Sequence, residues 1–367
     1  MTQFGRVLAT FRGVTPCALP WVADLTYWHS AHVRLGDIPE RWADKEGFRL
    51  MHRELGVGAL CDYGCTGYRQ VDGGAVTVRQ DARNGVTTTT LATPVGSITC
   101  RHQFLPRSQC SAHLDYYVKA VEDLAVVRYV AEQRRYEPDF DASCGLTESE
   151  KTRDAWNGWG PMVTLPPRSP LSALFTEWAG VETTCYLLAD DRVEVEKTMR
   201  ALAEAQDRAL AVLAESPAEM IEFPDNLSAE NHASFFDRYM RPHYQPRVEM
   251  LHSAGKFVGA HLDGTLRGLL NRMPETGMDF IESVTPAPVG DVPLCELRAL
   301  VPGDFILIGG IPGASFSPPW TWPQLEAHVR ELLRHHAGTP FILGTADQVP
   351  PDGNIEWVRR IAELLED

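Results

Sequence analysis

From about residue 118 onwards the chain alternates short strand-like runs with longer helical ones, and that rhythm limits its fold more than any other feature. Asp191 to Glu215 sets the helical pattern. Val195, Met199, Leu202, Ala209, Leu210 and Leu213 recur at three- and four-residue spacing, which lays one apolar stripe along a helix. Strand-like runs follow at 219–223, 257–263, 279–284, 305–308 and 341–344. Helical stretches at 230–253, 265–275, 292–301 and 322–337 separate them, and a last helix covers 354–366. Earlier runs at 18–24, 139–143 and 160–165 bring the strand count to eight. Strand–helix–strand alternation implies parallel strands joined by right-handed crossovers. Eight units in 367 residues predict an α/β chain folded as a (β/α)8 TIM barrel, one domain over 1–367. No G-x-G-x-x-G or G-x4-G-K-[ST] follows any strand, which weakens the dinucleotide and P-loop alternatives.

One region breaks the rhythm. Between residues 71 and 110, alternating Val/Thr/Ile runs are interrupted by Asp72-Gly-Gly74, Asn84-Gly85 and Pro94-Val-Gly96. Asn-Gly between alternating runs is a strong hairpin signal, so an antiparallel β-hairpin insertion is expected there.

Composition narrows the partners. A formal net charge of −15 argues against nucleic acid and anionic membranes, since both need a basic face. The first residues lack an apolar leader pattern, and no apolar run reaches the ~18 residues of a membrane span, so a cytoplasmic protein is expected. Eight scattered cysteines make no disulfide framework. The Cys61/Cys65 pair has no second pair to complete a zinc site and reads as reduced thiols.

In a barrel, polar residues at C-terminal strand ends are the candidates for chemistry. The richest stretch is Lys256-Phe-Val-Gly-Ala-His261-Leu-Asp263-Gly264. His261 and Asp263 are two residues apart and so share one face of a strand. Glu282 ends the next apolar run, where an unpartnered carboxylate would be costly, so a metal or a cationic partner is expected. Asp24, Asp225, Asn226, Thr345 and Asp347 occupy the same kind of position. Asp263 and Asp225 could instead cap the helices that follow them. Gly309-Gly310 could form a backbone nest for an anion, or simply a tight turn. Trp156, Trp159, Trp320 and Trp322 lie in Gly/Pro-rich loops and could lid an apolar substrate or pack on each other.

The order and spacing of several motifs carry a resemblance. They are Tyr117-Val-Lys119 with Glu122-Asp123-Leu124, Glu-Phe-Pro-Asp225-Asn-Leu, Phe236 to Pro242, and His252-Ser-Ala-Gly-Lys256 leading into His261-Leu-Asp263-Gly264. The Gly309-Gly310-Ile311 turn, Phe341-Ile-Leu-Gly344, Pro350 and Asn354-Ile355 complete the set. Together they resemble the uroporphyrinogen decarboxylase superfamily over most of the chain, and that resemblance also implies a (β/α)8 barrel. The true decarboxylase carries an arginine-rich loop after its first strand, where this chain has Trp21-Val-Ala-Asp24-Leu-Thr-Tyr27-Trp28. It also has a histidine where Thr345 stands. The chain is therefore nearer the zinc methyltransferase branch, which serves corrinoids, thiols and related carriers. There a His-x-Cys pair and a later cysteine bind zinc; here the pair is His261-x-Asp263, with Thr345 or Asp347 near the last position. Glu282 resembles the strand-end glutamate of cobalamin-independent methionine synthases.

The resemblance implies a methyltransferase or demethylase with Zn2+ or another divalent metal on His261, Asp263, Glu282 and Asp347. His261, Asp263, Glu282 and Asp24 are the expected catalytic set. Asp225, Asn226, Trp159, Trp320, Trp322 and Gly310 are expected to bind a small apolar or aromatic methyl donor. The acceptor would be a corrinoid or tetrahydrofolate. The chain has no Asp-x-His-x-x-Gly corrinoid motif, so a corrinoid would arrive on a separate carrier protein. Family members are often homodimers. The alternatives are a metal-free decarboxylase or other lyase, and a non-catalytic tetrapyrrole- or corrinoid-binding barrel.

Overall fold

A computed structural model describes residues 1–14, 16, 18–60, 67–140 and 154–366. Thirteen strands run in chain order: β1 Trp21–Asp24, β2 Tyr68–Asp72, β3 Thr77–Arg83, β4 Val86–Thr93, β5 Gly96–Leu105, β6 Cys110–Asp115, β7 Arg134–Pro138, β8 Val163–Thr164, β9 Met220–Leu227, β10 Phe257–Leu262, β11 Phe280–Val284, β12 Ile306–Pro312 and β13 Phe341–Gln348. Seven of them form one curled parallel sheet of barrel type, in the order β1-β13-β12-β11-β10-β9-β8. The remaining six are antiparallel: β2 pairs with β7, and β3 to β6 form a four-stranded meander.

The sheet is apolar on both faces, so both must be covered. Outward side chains pack against helices such as Arg192–Ala214 and Trp322–His336, whose buried residues are the stripes legible in the sequence. Inward side chains form a second, smaller cluster that includes Met220, Phe257, Phe280, Ile306, Ile308 and Ile342. The Gln3–Phe11 helix closes the floor of that cluster, with Phe11 set 4.9 Å from the Phe257 ring and 5.3 Å from the Phe280 ring.

Between the edge strands β1 and β8 lies the segment 57–60. Gly58 donates to Trp21 O (2.9 Å) and accepts from Ala23 N (3.1 Å), while Ala59 donates to Trp159 O (3.1 Å), just ahead of β8. Gly160 is needed at this seam, since a Cβ there would lie 1.9 Å from the Ala59 carbonyl oxygen.

The expected second strand at 139–143 is not present in its described part, Asp139 and Phe140, and its remainder lies outside the described residues. Between β10 and β11 the expected helix at 265–275 is only a 3-10 turn, Leu270–Thr276. The expected helix at 230–253 is broken into short turns before Arg241–Ser253. The antiparallel region is broader than 71–110, reaching from Tyr68 to Asp115 with β7 beyond. Its Asn84-Gly85 turn has both residues at positive φ (52° and 75°), as a tight hairpin with a right-handed twist requires. The Cys61/Cys65 pair lies outside the described residues. No helix among the described residues is long and apolar enough to cross a membrane.

Candidate active site

The inward stripe changes character along each strand. On β9 Met220 is followed two residues later by Glu222, on β11 Phe280 by Glu282, and on β10 Phe257 and Gly259 by His261. Period-two geometry stacks the polar layer directly above the apolar floor. His261 and Glu282 are register partners on adjacent strands, as are Gly259 and both Glu222 and Phe280. Gly259 must be glycine, because a Cβ would lie 2.5 Å from the Phe280 ring that supports the layer from below.

The result is a tight trio. His261 Nδ1 lies 2.6 Å from Glu282 Oε2 and 3.8 Å from Glu222 Oε1. Ligand-type atoms of Glu222, His261 and Glu282 all fall within 4.8 Å of one another. His261 and Glu222 side chains keep only 14% and 10% of their exposure. Burial works to strip His261 of its proton, but the charges of Glu282, Glu222 and Asp263 outweigh it and raise its pKa to about 10. Glu222 is pushed well above the usual carboxylate range, by burial first and by the Glu282 charge second. His261 Nε2 is buried with no hydrogen-bond partner, and Asp263 Oδ1 lies 4.0 Å away.

Above the trio opens a cavity of about 370 Å3. Asp24, Asn226, Thr345, Asp347 and Gln348 ring it, and Leu60, Leu165 and Pro224 give it apolar wall. Burial is the main cause that raises the Asp347 pKa to about 6, with His261 pulling the other way. Three non-glycine residues with positive φ stand at these strand ends: Asn226 (47°), Ser283 (68°) and Asp347 (63°). Two are tied together, since Asp347 N donates to Ser283 Oγ. Backbone held in a sparsely populated region this close to buried charge is typical of functional sites. A larger groove, about 700 Å3, lies at the floor end beside Phe11 and Asp279, away from the trio.

Of the expected residues, the structure brings His261, Glu282, Asp24, Asp347 and Asn226 to the cavity, with Asp263 beside His261. Asp24 is also occupied locally, accepting from Thr26 N (2.7 Å) and from Gln348 Nε2 (2.9 Å). Asn226 accepts from Arg168 Nη1 (2.6 Å). Asp263 caps no helix; Asp291 instead takes the Leu266 N–H at 2.7 Å. Asp225 is fully buried away from the cavity, where it holds Ser169 N (2.8 Å) and Tyr244 OH (2.5 Å). Burial raises its pKa, while the hydrogen bonds that Tyr244 and Ser169 donate to it work the other way.

Besides Asp225, four other expected substrate contacts lie elsewhere than the cavity wall. Gly310 turns its open side to Leu332 and Phe341 on the outer face, and its carbonyl accepts from His328 Nε2 at 2.8 Å. Trp320 packs edge-on against His328. Trp322 stacks under Arg360 (3.9 Å) and beside Trp357. Trp159 contributes its backbone carbonyl to the seam at Ala59. The residue that sequence reasoning passed over is Glu222. Its signal was present, a lone carboxylate inside Met220-Ile-Glu222-Phe223, where a fully buried strand demands a partner for it.

A family model, uroporphyrinogen decarboxylase (URO-D), matches residues 171–367, more than half of the chain. The chain belongs to the uroporphyrinogen decarboxylase family. The matched part carries β9 to β13 and with them Glu222, His261, Glu282 and Asp347. Among solved structures, a methyltransferase from Methanosarcina mazei is similar with a TM-score of 0.61 at 14% identity, covering 100% of this chain and 98% of that one. A B12-independent methionine synthase from Shewanella sp. W3-18-1 gives a TM-score of 0.47 at 12% identity over 90% of each chain. A putative vitamin-B12 independent methionine synthase from Listeria monocytogenes gives 0.44 at 10%, over 95% and 96%. At these identities the likeness to the first speaks for a shared fold. No curated protein sequence matches the chain.

Proposed function

We propose that this family member is a metal-dependent methyltransferase or demethylase built on a (β/α)8 barrel, with segment 57–60 as its second stave. The observation that carries the reading is the convergence of Glu222, His261 and Glu282 from three adjacent strands beneath a cavity. One imidazole and two carboxylates form a hard N/O donor set that would suit zinc or a similar divalent ion. A metal there would supply Lewis acidity to a substrate heteroatom, such as the oxygen of a methyl ether.

The chain's own residues do the rest. Glu222 and Glu282 supply the negative charge that a bound dication would neutralise, which would offset the cost of burying both carboxylates. Leu60, Leu165 and Pro224 would hold the apolar part of a small methylated donor. The described cavity lining has no Lys or Arg, so it does not suit the polycarboxylate of a porphyrinogen. At about 370 Å3 it fits a small donor alone, so a corrinoid or folate acceptor would approach the mouth, the corrinoid on a separate carrier protein. Asp347, in the cavity lining, and Asp263, 4.0 Å from His261 Nε2, would be further metal or proton-handling groups.

A second reading, a metal-free lyase, is favoured by one observation: His261 Nδ1 lies 2.6 Å from Glu282 Oε2, a histidine–carboxylate pair that can handle a proton without a metal. Metal analysis separates the two. Purified wild type is expected to hold about one divalent ion per chain, and His261→Ala and Glu222→Gln to hold far less. Wild type without stoichiometric metal, and with activity that survives chelator, would sink the metal reading.

A further inference from the structure

Among the described residues, strand β3 is an edge with no strand beyond it. All seven residues, Thr77 to Arg83, are exposed, and β3 is hydrogen-bonded only to β4 among the described residues. Its pairing with β4 runs without a bulge, and it contains no proline. Such an edge presents a row of open N–H and C=O groups, and proteins normally guard it. The guard here is unusual, because its charges alternate in sign: Arg79, Asp81, Arg83.

We propose that β3 pairs antiparallel with β3 of a second copy of this chain, across a two-fold axis through Gln80. That register sets Arg79 against Asp81 of the second copy twice, and Val78 against Ala82 of the second copy twice. Directly opposed opposite charges stabilise a sheet and like charges destabilise it. Registers centred on Arg79 or Asp81 place like charges face to face, and one centred on Ala82 sets Asp81 against Arg83 but runs off the strand end at Arg83; the Gln80 register alone pairs opposite charges along the whole strand. Arg79 and Asp81 lie on one face of the sheet. Val78, 56% exposed, lies on the other, the face of its β4 neighbour Leu91. Within one chain Asp81 already pairs with Arg83 at 3.0 Å, but an exposed pair of that kind contributes little and does not hold Asp81 back.

Charge also favours this location. Thr77 to Asp115 holds four arginines against two aspartates, in a chain whose net charge is −15. Two such sheets can approach where two acidic barrels would repel. The proposal stands independently of the metal site.

Sedimentation velocity on the full chain over a concentration series tests it. Wild type is expected to move from monomer to dimer as concentration rises. Arg79→Asp should stay monomeric, and the charge swap Arg79→Asp with Asp81→Arg should recover the dimer. A wild type that stays monomeric throughout, an undiminished Arg79→Asp dimer, or a swap that fails to recover it would overturn the proposal. Should the charge variants fold poorly by circular dichroism, mild oxidation of Gln80→Cys supplies the answer. It should trap a covalent dimer beyond the wild-type background, whereas Val78→Cys should not; equal yields would overturn the Gln80 register.

Discussion

The curled parallel sheet and the β3–β6 meander place similar backbone in opposite surroundings. Every residue of β12 is buried, whereas every residue of β3 is exposed. In the first, a polar side chain must find a partner or a function, because desolvation is costly. Glu222, His261 and Glu282 therefore mean something by their mere presence. In the second, Arg79 and Asp81 are fully hydrated and their presence alone means little; only their pattern along an open edge does. Burial makes single residues informative, and exposure makes arrangements informative.

The contrast breaks most visibly, if it is wrong, in the cost of truncating a phenylalanine. Phe280→Ala, in the fully buried floor, is expected to lower stability by about 3–5 kcal/mol. Phe104→Ala, 40% exposed on β5, is expected to change it by about 0.5 kcal/mol or less. Chemical denaturation midpoints give both values, and similar losses would erase the distinction.

Acid sharpens it next. His336 is fully buried against the Phe341 ring, and burial, with Arg298 and His335 nearby, lowers its pKa to about 4. A depressed folded-state pKa means its contribution is intact above the unfolded value near 6.5 and is lost as pH falls towards 4. The loss approaches about 3 kcal/mol at most. His336→Leu should flatten that limb of a melting-temperature profile. The pKa of His113, on the meander, is also lowered, by partial burial and then by His102, but less strongly, so His113→Leu should flatten the limb by a smaller amount.

The smallest expected effect concerns the seam. Gly160→Ala forces a methyl onto the Ala59 carbonyl and should cost about 2 kcal/mol. A neutral result in the same denaturation assay would mean that 57–60 is not held there.

The sequence was most readable where pattern and burial agree. Strands β9 to β13 and the stripe from Val195 to Leu213 follow from periodicity alone. The segment at 57–60 was not readable, because four residues joined to their neighbours by a few backbone bonds leave no side-chain pattern. His261 and Glu282 stood out as strand-end residues. Glu222 did not, because attention to strand ends overlooks the middle of a strand. Trp320 and Trp322 misled, since a loop's composition does not say which way its rings turn; both face neighbouring helices. Asp225 misled for a similar reason: its partners, Ser169 and Tyr244, lie 56 and 19 residues away in sequence.

The seam has one more consequence. Most staves are zipped to both neighbours by ladders of backbone bonds, but among the described residues 57–60 is joined to its neighbouring strands by three, at Gly58 and Ala59. Local opening takes the least free energy where the fewest bonds must break together. Leu60, next along that segment, is part of the cavity wall. Breathing of the protein would thus loosen the reaction chamber from the side, while the floor beneath His261, held by Phe11, Phe257 and Phe280, stays shut. Residence time of a bound molecule would then track the fraying of one thin stave, remote in sequence from Glu222, His261 and Glu282.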